Sequence, residues 1–262
     1  MRDLEQRKKT TLELTLHWVL PVLAISVIMM GWILFSTNNP RLMPNPVQVY
    51  ERFILTFTKP VVRVTLPGHA LASLRRVVTA LIFAWAIGIT MGILIGRSRV
   101  FKAVIGTLFE LLRPIPPIAW IPIVIMWFGN EEFPRILIVF IGAFVPLVIN
   151  TAAGIAMVDK INIDVGRIFG GNRYQILWQI LIPTALPSIF AGIRTSVSVG
   201  WTTVVAAEMI AVQHGLGALV MRGWMADDMA LVMVAIITIA LTGAFLAFSL
   251  AMLEKVVCPW AK

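Results

Sequence analysis

Long apolar runs separated by short polar segments dominate the chain. A transmembrane helix needs about 20 consecutive, mainly apolar residues, and six runs come near that length. They lie at 18–35, 77–95, 104–128, 136–157, 186–210 and 229–253. The pattern therefore predicts an all-α, polytopic membrane protein with about six transmembrane helices.

The third of these runs is interrupted by prolines. Arg113 stands directly before Pro114, and Pro116 and Pro117 follow. Proline lacks a backbone N–H and clashes with the preceding turn, so we expect the helix to break here. Inside a membrane such a break persists only where other helices or a water-filled cavity satisfy the freed carbonyl groups.

Two connections are longer than the others. Residues 36–74 contain five prolines and are expected to hold a short amphipathic helix near 47–57. Residues 159–187 form a polar, glycine-containing segment between two spans. Loops of that length are usually functional or disordered, and the regular apolar spacing argues against disorder. We predict a short docking helix, held at the membrane surface for another protein to contact.

The spacing within this segment suggests how docking could work. Gly166 and Gly170 are one helical turn apart and would leave one face bare for a partner, while Ile168 and Phe169 fill the partner's pocket. The prolines at 183 and 187 would mark where the chain turns into the bilayer. The alternative is an ordinary amphipathic loop resting on lipid.

Composition excludes several classes of protein. Hydrophobic residues make up 59% and charged residues 13%, with a mean hydropathy of +0.89, whereas soluble domains carry about 25% charged residues. The net charge of +9 is spread thinly between apolar runs, so lipid contact and topology explain it better than nucleic acid. One cysteine and three widely spaced histidines predict neither a disulfide nor a metal site.

The sequence also lacks the motifs of catalysis. It contains no G-x4-G-K-[ST] segment and no Gly-Lys pair, so it is not expected to bind ATP through a P-loop. No Ser-His-Asp or G-x-S-x-G arrangement is present either. We therefore expect no enzyme activity in this chain, and any ATP-driven step would need another polypeptide.

Three segments resemble one family of transporters. Asp164, Gly170, Ile180 and Pro183 follow the spacing of the E-A-A-x3-G-x9-I-x-L-P motif of ABC importer permeases, which forms their ATPase-docking helix. The segment 112–129, LRPIPPIAWIPIVIMWFG, and the segment 199–217, with Glu208 and Gly-Leu-Gly at its end, are similar to the taurine, sulfonate, nitrate and bicarbonate permease group. The similarity covers residues 70–260 and is greatest to the taurine-transporting members.

This resemblance implies a type I ABC importer permease fold and a function in transport. The permease would form a homodimer in the bacterial inner membrane, meet two ATP-binding subunits and receive solute from a periplasmic binding protein. ATP and Mg would be bound by the ATPase, and this chain would hold no cofactor. The solute would be taurine or another sulfonate. Nitrate, bicarbonate or a heterocyclic vitamin precursor are alternatives within the family, and a membrane scaffold is the alternative outside it.

The apolar runs divide the chain, the resemblance places the coupling helix, and the charge count orients the spans. Residues 1–17 would be a cytoplasmic segment, 18–74 an uncleaved first span with a periplasmic connection, 75–258 the permease core with a coupling helix at about 160–182, and 259–262 a cytoplasmic end. With both termini inside, twelve Lys and Arg residues lie in cytoplasmic segments and eight in periplasmic ones. That bias follows the positive-inside rule.

The candidate site residues form two sets. The ATPase-coupling set is Asp164, Val165, Gly166, Ile168, Phe169, Gly170, Gly171 and Pro183. The pathway and gate set is Arg113, Pro114, Pro116, Pro117, Trp120, Trp201, Glu208, Gly215 and Gly217. Tryptophans of such a set are also ordinary interfacial anchors.

The charged members leave alternatives open. Glu208 is expected to tie the fifth span to the Gly215–Gly217 turn, which in the family belongs to the external gate. Arg113 and Arg194 could donate charge-assisted hydrogen bonds to a sulfonate. They could instead pair with carboxylates such as Glu110 or contact lipid headgroups.

Overall fold

The computed structural model describes residues 11–40, 42–211 and 213–259, and helices account for most of them. Residues 1–10, 41 and 260–262 lie outside the described residues. Most of the two predicted cytoplasmic ends falls there, and so does Arg41, one of the eight residues counted as periplasmic. The helices are α1 Thr11–Asn38, α2 Pro46–Thr58, α3 Leu66–Arg97, α4 Arg99–Leu112, α5 Pro117–Phe128, α6 Glu132–Ala156, α7 Lys160–Ile168, α8 Arg173–Ile210, α9 Leu216–Met225 and α10 Met229–Val257. The all-α class is confirmed.

Close packing of α3 against α6 forms one half of the core. Gly88, Gly92 and Gly96 lie against Leu147, Thr151 and Ile155, respectively. A methyl group added at position 92 would lie 2.5 Å from the Thr151 Cβ and 3.0 Å from the Val148 carbonyl oxygen. Small residues at four-residue spacing let two backbones approach in lipid, and these three glycines allow that approach here.

The order of these contacts gives the helix directions. Residue numbers rise together along α3 and α6, so the two helices run parallel. Helix α8 contacts α6 in the opposite order, since Gly154 lies against Ser188 and the earlier Gly142 lies against the later Thr203. Helix α8 is therefore antiparallel to both, and the three helices form the core of the fold.

Parallel packing of α3 and α6 requires the chain between them to return across the fold. That chain is α4 followed by α5, two helices that meet at an angle of 86° around the prolines at 114–117. Within the described residues five helices are long and apolar enough to span a membrane, and the bent pair counts as the sixth span. About six spans, with the third one broken, is what the sequence predicts.

The two ends of this bundle differ in character. The loop end carries Ser98, the connection 159–172 and Cys258. The other end, which we call the network end, carries α2, α9 and the beginnings of α3, α6 and α10. Helix α1 finishes at the network end, where the Trp32 indole N–H donates to the Pro44 carbonyl at 2.9 Å. A spanning α1 therefore begins at the loop end, on the same side as Cys258.

Several boundaries differ from the prediction. The amphipathic helix near 47–57 is present as α2, capped by Asn45, but α3 begins eleven residues before the predicted second span. The prediction that Pro183 and Pro187 mark a turn was wrong, because both lie inside α8. A π-helical turn at Leu177–Leu181 precedes Pro183, and such a turn already departs from the hydrogen-bond ladder that a proline interrupts. Helix α9 was not predicted.

Candidate functional site: a docking segment, a broken span and a buried network

The connection at the loop end is a short helix with defined caps. The Asp159 carboxylate accepts the N–H of Ile161 at 3.0 Å and begins α7. At its other end, Gly170 has φ +79°, its N–H donates to Arg167, and the Gly171 N–H donates to Gly166. This pair of bonds around a left-handed residue is the Schellman motif. Gly170 therefore ends the helix, because only glycine adopts that φ without cost.

Gly166 and Gly170 do not form a bare face for a partner, so that prediction was wrong. Gly170 lies beyond the helix, and Gly166 faces the beginning of α8. A methyl group at Gly166 would lie 2.5 Å from the Ile180 Cδ1. The small residue is needed for packing within this chain, because the connection folds back onto α8.

The apolar residues of the segment instead point outward. Ile168 is 83% exposed and Phe169 is 86% exposed. Val165 on the preceding turn is also exposed, and Asp164 forms an exposed ion pair with Arg167 at 3.0 Å. The tip of this connection is an apolar surface at a polar end of the protein, which is the arrangement of a protein-contact site.

The broken span lies beside a cavity. Arg113, at the end of α4, forms an ion pair with Glu110 at 3.1 Å, and both side chains are about half exposed or more, at 48% and 65%. A cavity of about 500 Å³ opens beside them, lined by Arg113, Pro117, Trp120 and Val199 among largely apolar residues. The pairing with Glu110, one of the two roles open for Arg113, is the one present here.

Two other candidates occupy positions away from this cavity. Trp201 is 7% exposed and lies against Gly243 of α10, so it belongs to the core between α8 and α10. Arg194 is exposed on α8 and pairs with Glu254 of α10 at 3.3 Å. Pairing with a carboxylate was expected as one alternative for Arg194, but its partner is Glu254 rather than Glu110.

Glu208 ties α8 to the beginning of α9, as predicted. Its Oε2 accepts the N–H of Gly217 at 3.0 Å and the hydroxyl of Ser73 at 2.8 Å. Its Oε1 accepts Arg76 Nη1 at 2.8 Å. Gly215 has φ +142°, and a methyl group there would collide with the Glu208 carboxylate. Gly215 is therefore required both for its backbone conformation and for the close approach of this carboxylate.

Arg76 extends the network to a third helix. Its Nε and Nη2 donate to the two carboxylate oxygens of Glu132 at 2.8 and 2.7 Å, in a bidentate pair. Its Nη1 also donates to the His214 carbonyl at 2.7 Å. Arg76 is 5% exposed and Glu208 1% exposed. One buried guanidinium thus joins α3, α6 and α8 to the residues that lead into α9.

Three side chains hold three successive backbone N–H groups. His69 Nδ1 accepts from Gly215 at 3.0 Å, the Ser73 hydroxyl accepts from Leu216 at 2.9 Å, and Glu208 accepts from Gly217. These N–H groups begin α9 and have no partners within that helix. We call this arrangement the latch: the side chains of His69, Ser73 and Glu208 with the N–H groups of residues 215–217.

Sequence reasoning found Glu208, Gly215 and Gly217 but missed their partners. His69, Ser73 and Arg76 lie at positions i, i+4 and i+7, which share one face of a helix. Three polar residues on one face at the beginning of an apolar helix were a usable signal for a buried polar contact.

Comparison with known proteins identifies the family. The sequence model described as "Binding-protein-dependent transport system inner membrane component" matches residues 87–259, which is more than half of the chain. The chain belongs to this family. It is a multi-pass membrane protein of the permease type, as the resemblance implied.

Individual members of the family are similar over most of the chain. The taurine transport system permease protein TauC of Escherichia coli (strain K12) is 34% identical, with 97% of this chain and 94% of that protein covered. The nitrate import permease protein NrtB of Synechocystis sp. is 32% identical, with 91% and 89% covered.

A solved structure shares the fold. A chain of the MetNI methionine ABC transporter, in an inward facing conformation, superposes with a TM-score of 0.56 at 17% identity, covering 71% of this chain and 95% of that chain. The type I ABC importer permease fold is thereby confirmed.

Proposed function

We propose that the chain is the membrane-spanning subunit of an ATP-driven importer and forms the pathway for a small oxyanion. One observation carries the mechanism. A single helix of 38 residues, α8, begins at the exposed docking connection and reaches the buried network at the opposite end. A force applied at the connection therefore acts directly on the helix that carries Glu208 of the latch.

The docking surface fits a separate ATPase. Ile168 and Phe169 project from a capped helix that is itself fixed by Gly166 against α8. Such a surface can fill an apolar pocket of a partner without reorganising this chain. Because the chain contains no P-loop, the ATP and Mg would be bound by that partner. Two copies of this chain with two ATPase subunits would form the working transporter.

Charge supports the orientation that we propose. In the short connections, whose charges weigh most, the loop end carries a basic cluster, whereas the network end carries single basic residues. The cluster is Arg97, Arg99 and Lys102, and the single residues are Arg135 and Arg222. With the loop end inside, the docking connection meets a cytoplasmic ATPase, both termini are cytoplasmic, and the network end faces a periplasmic solute-binding protein.

The solute pathway would run past the broken span. The Arg113–Glu110 pair lies partway along an apolar crossing and is exposed, and charged groups at such depth normally face a cavity or another subunit. On α8 the exposed hydroxyl residues Thr195, Ser198 and Thr202 flank Val199, which lines the cavity beside Arg113. A guanidinium suits a small oxyanion, which accepts hydrogen bonds on several oxygens, and the hydroxyl residues make this face of α8 more polar.

The solute itself we propose to be taurine or another sulfonate, with nitrate or bicarbonate as the alternatives. The support is the similarity to TauC over 97% of the chain, against which stands a comparable similarity to NrtB. Closure of the ATPases would draw the two docking connections together and switch the pathway from inward to outward access. Each state would be favoured by the contacts that it alone allows.

The coupling role is tested by Phe169→Asp. Phe169 is 86% exposed, so the substitution leaves the fold intact but puts a charge into the proposed ATPase contact. We expect solute uptake into cells and ATPase stimulation by the binding protein to fall at least tenfold, while membrane insertion is unchanged. Tyr50→Asp, at a 66% exposed aromatic on the network end, is the matched control. Uptake and ATPase stimulation in Phe169→Asp equal to those in Tyr50→Asp would refute the coupling role. Uptake that does not depend on this chain, as expected of a scaffold protein, would discard the importer function.

The solute is tested separately. Uptake of radiolabelled taurine is measured in competition with a tenfold excess of unlabelled alkanesulfonate, nitrate or bicarbonate. Competition by sulfonates alone supports the proposal. Competition by nitrate or bicarbonate, with none by sulfonates, would overturn the sulfonate assignment while leaving the transport role in place.

A further inference from the structure

The His69 ring lies between two backbone groups that decide its protonation state. The ring is fully buried. Its Nδ1 receives the Gly215 N–H at 3.0 Å, and its Nε2 lies 3.0 Å from the Val61 carbonyl oxygen. An amide N–H can only donate and a carbonyl oxygen can only accept. Nδ1 must therefore present a lone pair and Nε2 must carry the hydrogen, which is one tautomer of the neutral ring.

The neutral ring joins three parts of the network end. Val61 belongs to the turn between α2 and α3, where Val62 and Arg63 have φ values of 53° and 67°. His69 itself is in the first turn of α3, and Gly215 begins α9. A single side chain therefore fixes a tight turn and the first member of the latch. Ser73 and Glu208 hold only the next two N–H groups.

Protonation would make the His69 contact impossible. A hydrogen on Nδ1 would face the hydrogen of the Gly215 N–H, so two donors would oppose each other. The carboxylates of this region, Glu208 and Glu132, are already bonded to Arg76.

The other ionisable groups nearby do not take the place of the Gly215 N–H at Nδ1. The His214 ring centroid lies 6.1 Å from that of His69, and Arg63 of the α2–α3 turn is a cation. The added charge would therefore have to be accommodated by displacing the Gly215 backbone.

We propose that His69 is a positioning residue of the outer gate, whose neutral form keeps the beginning of α9 closed and whose protonation from the network side releases it. This inference rests on the proposed function, because the α9 turn can act as a gate only if the chain forms a transport pathway. Release is expected as the pH at the network end falls below about 6.5, the ordinary pKa of a histidine that has left its buried position.

The latch is tested without any transport measurement. The full chain in lipid nanodiscs is studied by hydrogen–deuterium exchange at pH 7.5 and pH 5.5, with rates corrected for intrinsic exchange. The readout is the peptide that contains residues 215–219. In the unmodified protein we expect its protection at pH 5.5 to be lower by about tenfold, the factor that corresponds to one hydrogen bond of ordinary net strength. Equal protection at the two pH values would overturn the proposal.

Two variants separate His69 from its surroundings. In His69→Asn, the side-chain carbonyl can accept the Gly215 N–H but cannot titrate, so protection should be the same at both pH values. His214→Asn is the matched control, because the His214 Nδ1 is buried with no hydrogen-bond partner among the described residues, and it should keep the pH dependence. A pH effect that persists in His69→Asn, or that disappears in His214→Asn, would contradict the role of His69. The comparison in the unmodified protein stands even if a variant fails to fold.

A transport measurement then separates the latch from the gate. Uptake by proteoliposomes containing the complete transporter is compared at external pH 7.5 and 5.5 for the unmodified protein and His69→Asn. A pH dependence of uptake that His69→Asn abolishes supports the proposal. A pH-dependent latch with pH-independent uptake would show that the α9 turn is not the gate, and this would overturn the proposal. A loss of uptake with Phe169→Asp would still support the importer function.

Discussion

Replacing Glu208 by glutamine should damage the network end more than the single-atom change suggests. Glutamine keeps the shape but turns one carboxylate oxygen into an NH₂ group, which can only donate. Both oxygens of Glu208 face donors: Oε1 faces Arg76, and Oε2 faces Gly217 and Ser73. Whichever way the amide turns, one donor faces another. The buried Arg76 guanidinium also loses one of its two carboxylate partners.

The expected loss follows from these contacts. A hydrogen bond to a charged group contributes about 1.5–3 kcal/mol, and breaking a buried ion pair by removing one partner costs roughly 3–5 kcal/mol. Glu132 still pairs with Arg76, so the lower part of that range applies, and we expect about 3 kcal/mol. At about 2–4 °C per kcal/mol for chains of 150–250 residues, the Tm should fall by roughly 6–12 °C.

The measurement is thermal unfolding of the purified protein in nanodiscs, followed by intrinsic tryptophan fluorescence. Glu110→Gln is the matched control, because Glu110 also pairs with an arginine but is 65% exposed. Exposed pairs contribute about 0–1 kcal/mol, so its Tm should stay within about 4 °C of the unmodified protein. If Glu208→Gln shifts the Tm no more than Glu110→Gln does, the network does not carry the stability that we assign to it.

Three further predictions concern other parts of the fold. Gly170→Ala should lower the hydrogen-exchange protection of the amides at positions 170 and 171 more than Gly170→Asn does. Alanine at φ +79° costs about 1–2 kcal/mol, whereas asparagine tolerates that conformation better. Equal effects of the two substitutions would contradict the Schellman assignment. Gly92→Leu should separate α3 from α6 and so abolish a monodisperse gel-filtration peak. Gly31→Leu should leave the peak unchanged, because nothing lies within 4 Å of a Cβ added at Gly31. Similar peaks for both variants would refute the packing of α3 against α6. Burial raises the pKa of the Cys258 thiol, with the Glu254 carboxylate adding to the effect, so the reactive thiolate is scarce at pH 7. Maleimide labelling at pH 7 should be slower in the native protein than in the unfolded protein, and equally fast labelling of the two would contradict this.

The number and order of the membrane spans could be predicted from the sequence because the thickness of the bilayer sets the length of each apolar run. The break at Pro114–Pro117 was also visible, since proline acts through local geometry that one sequence contains. The prediction for Gly166 failed for a different reason. Spacing tells which residues share a face, but it does not tell whether that face meets a partner or the chain's own next helix, here at Ile180.

The network at the opposite end shows a second limit of prediction from the sequence, which concerns contacts between residues far apart in the chain. Glu208 was expected to reach the Gly215–Gly217 turn, nine residues away at most, and it does. Its partners Ser73 and Arg76 are 135 and 132 residues away in sequence. Contacts over such separations depend on how the helices pack, and here they depend on the antiparallel packing of α8, which carries Glu208, against α3.

The length of α8 makes it a mechanical lever. At 1.5 Å per residue, its 38 residues extend about 57 Å. A tilt of about 5° around the docking connection would displace the far end by about 5 Å, which exceeds the length of any hydrogen bond in the latch. A small rotation at the docking contact therefore produces a displacement at the far end of α8 that is large enough to break the three hydrogen bonds of the latch. The stiffness of α8, especially at the π-helical turn Leu177–Leu181, would then determine how much of the movement caused by the ATPase is transmitted to the network end.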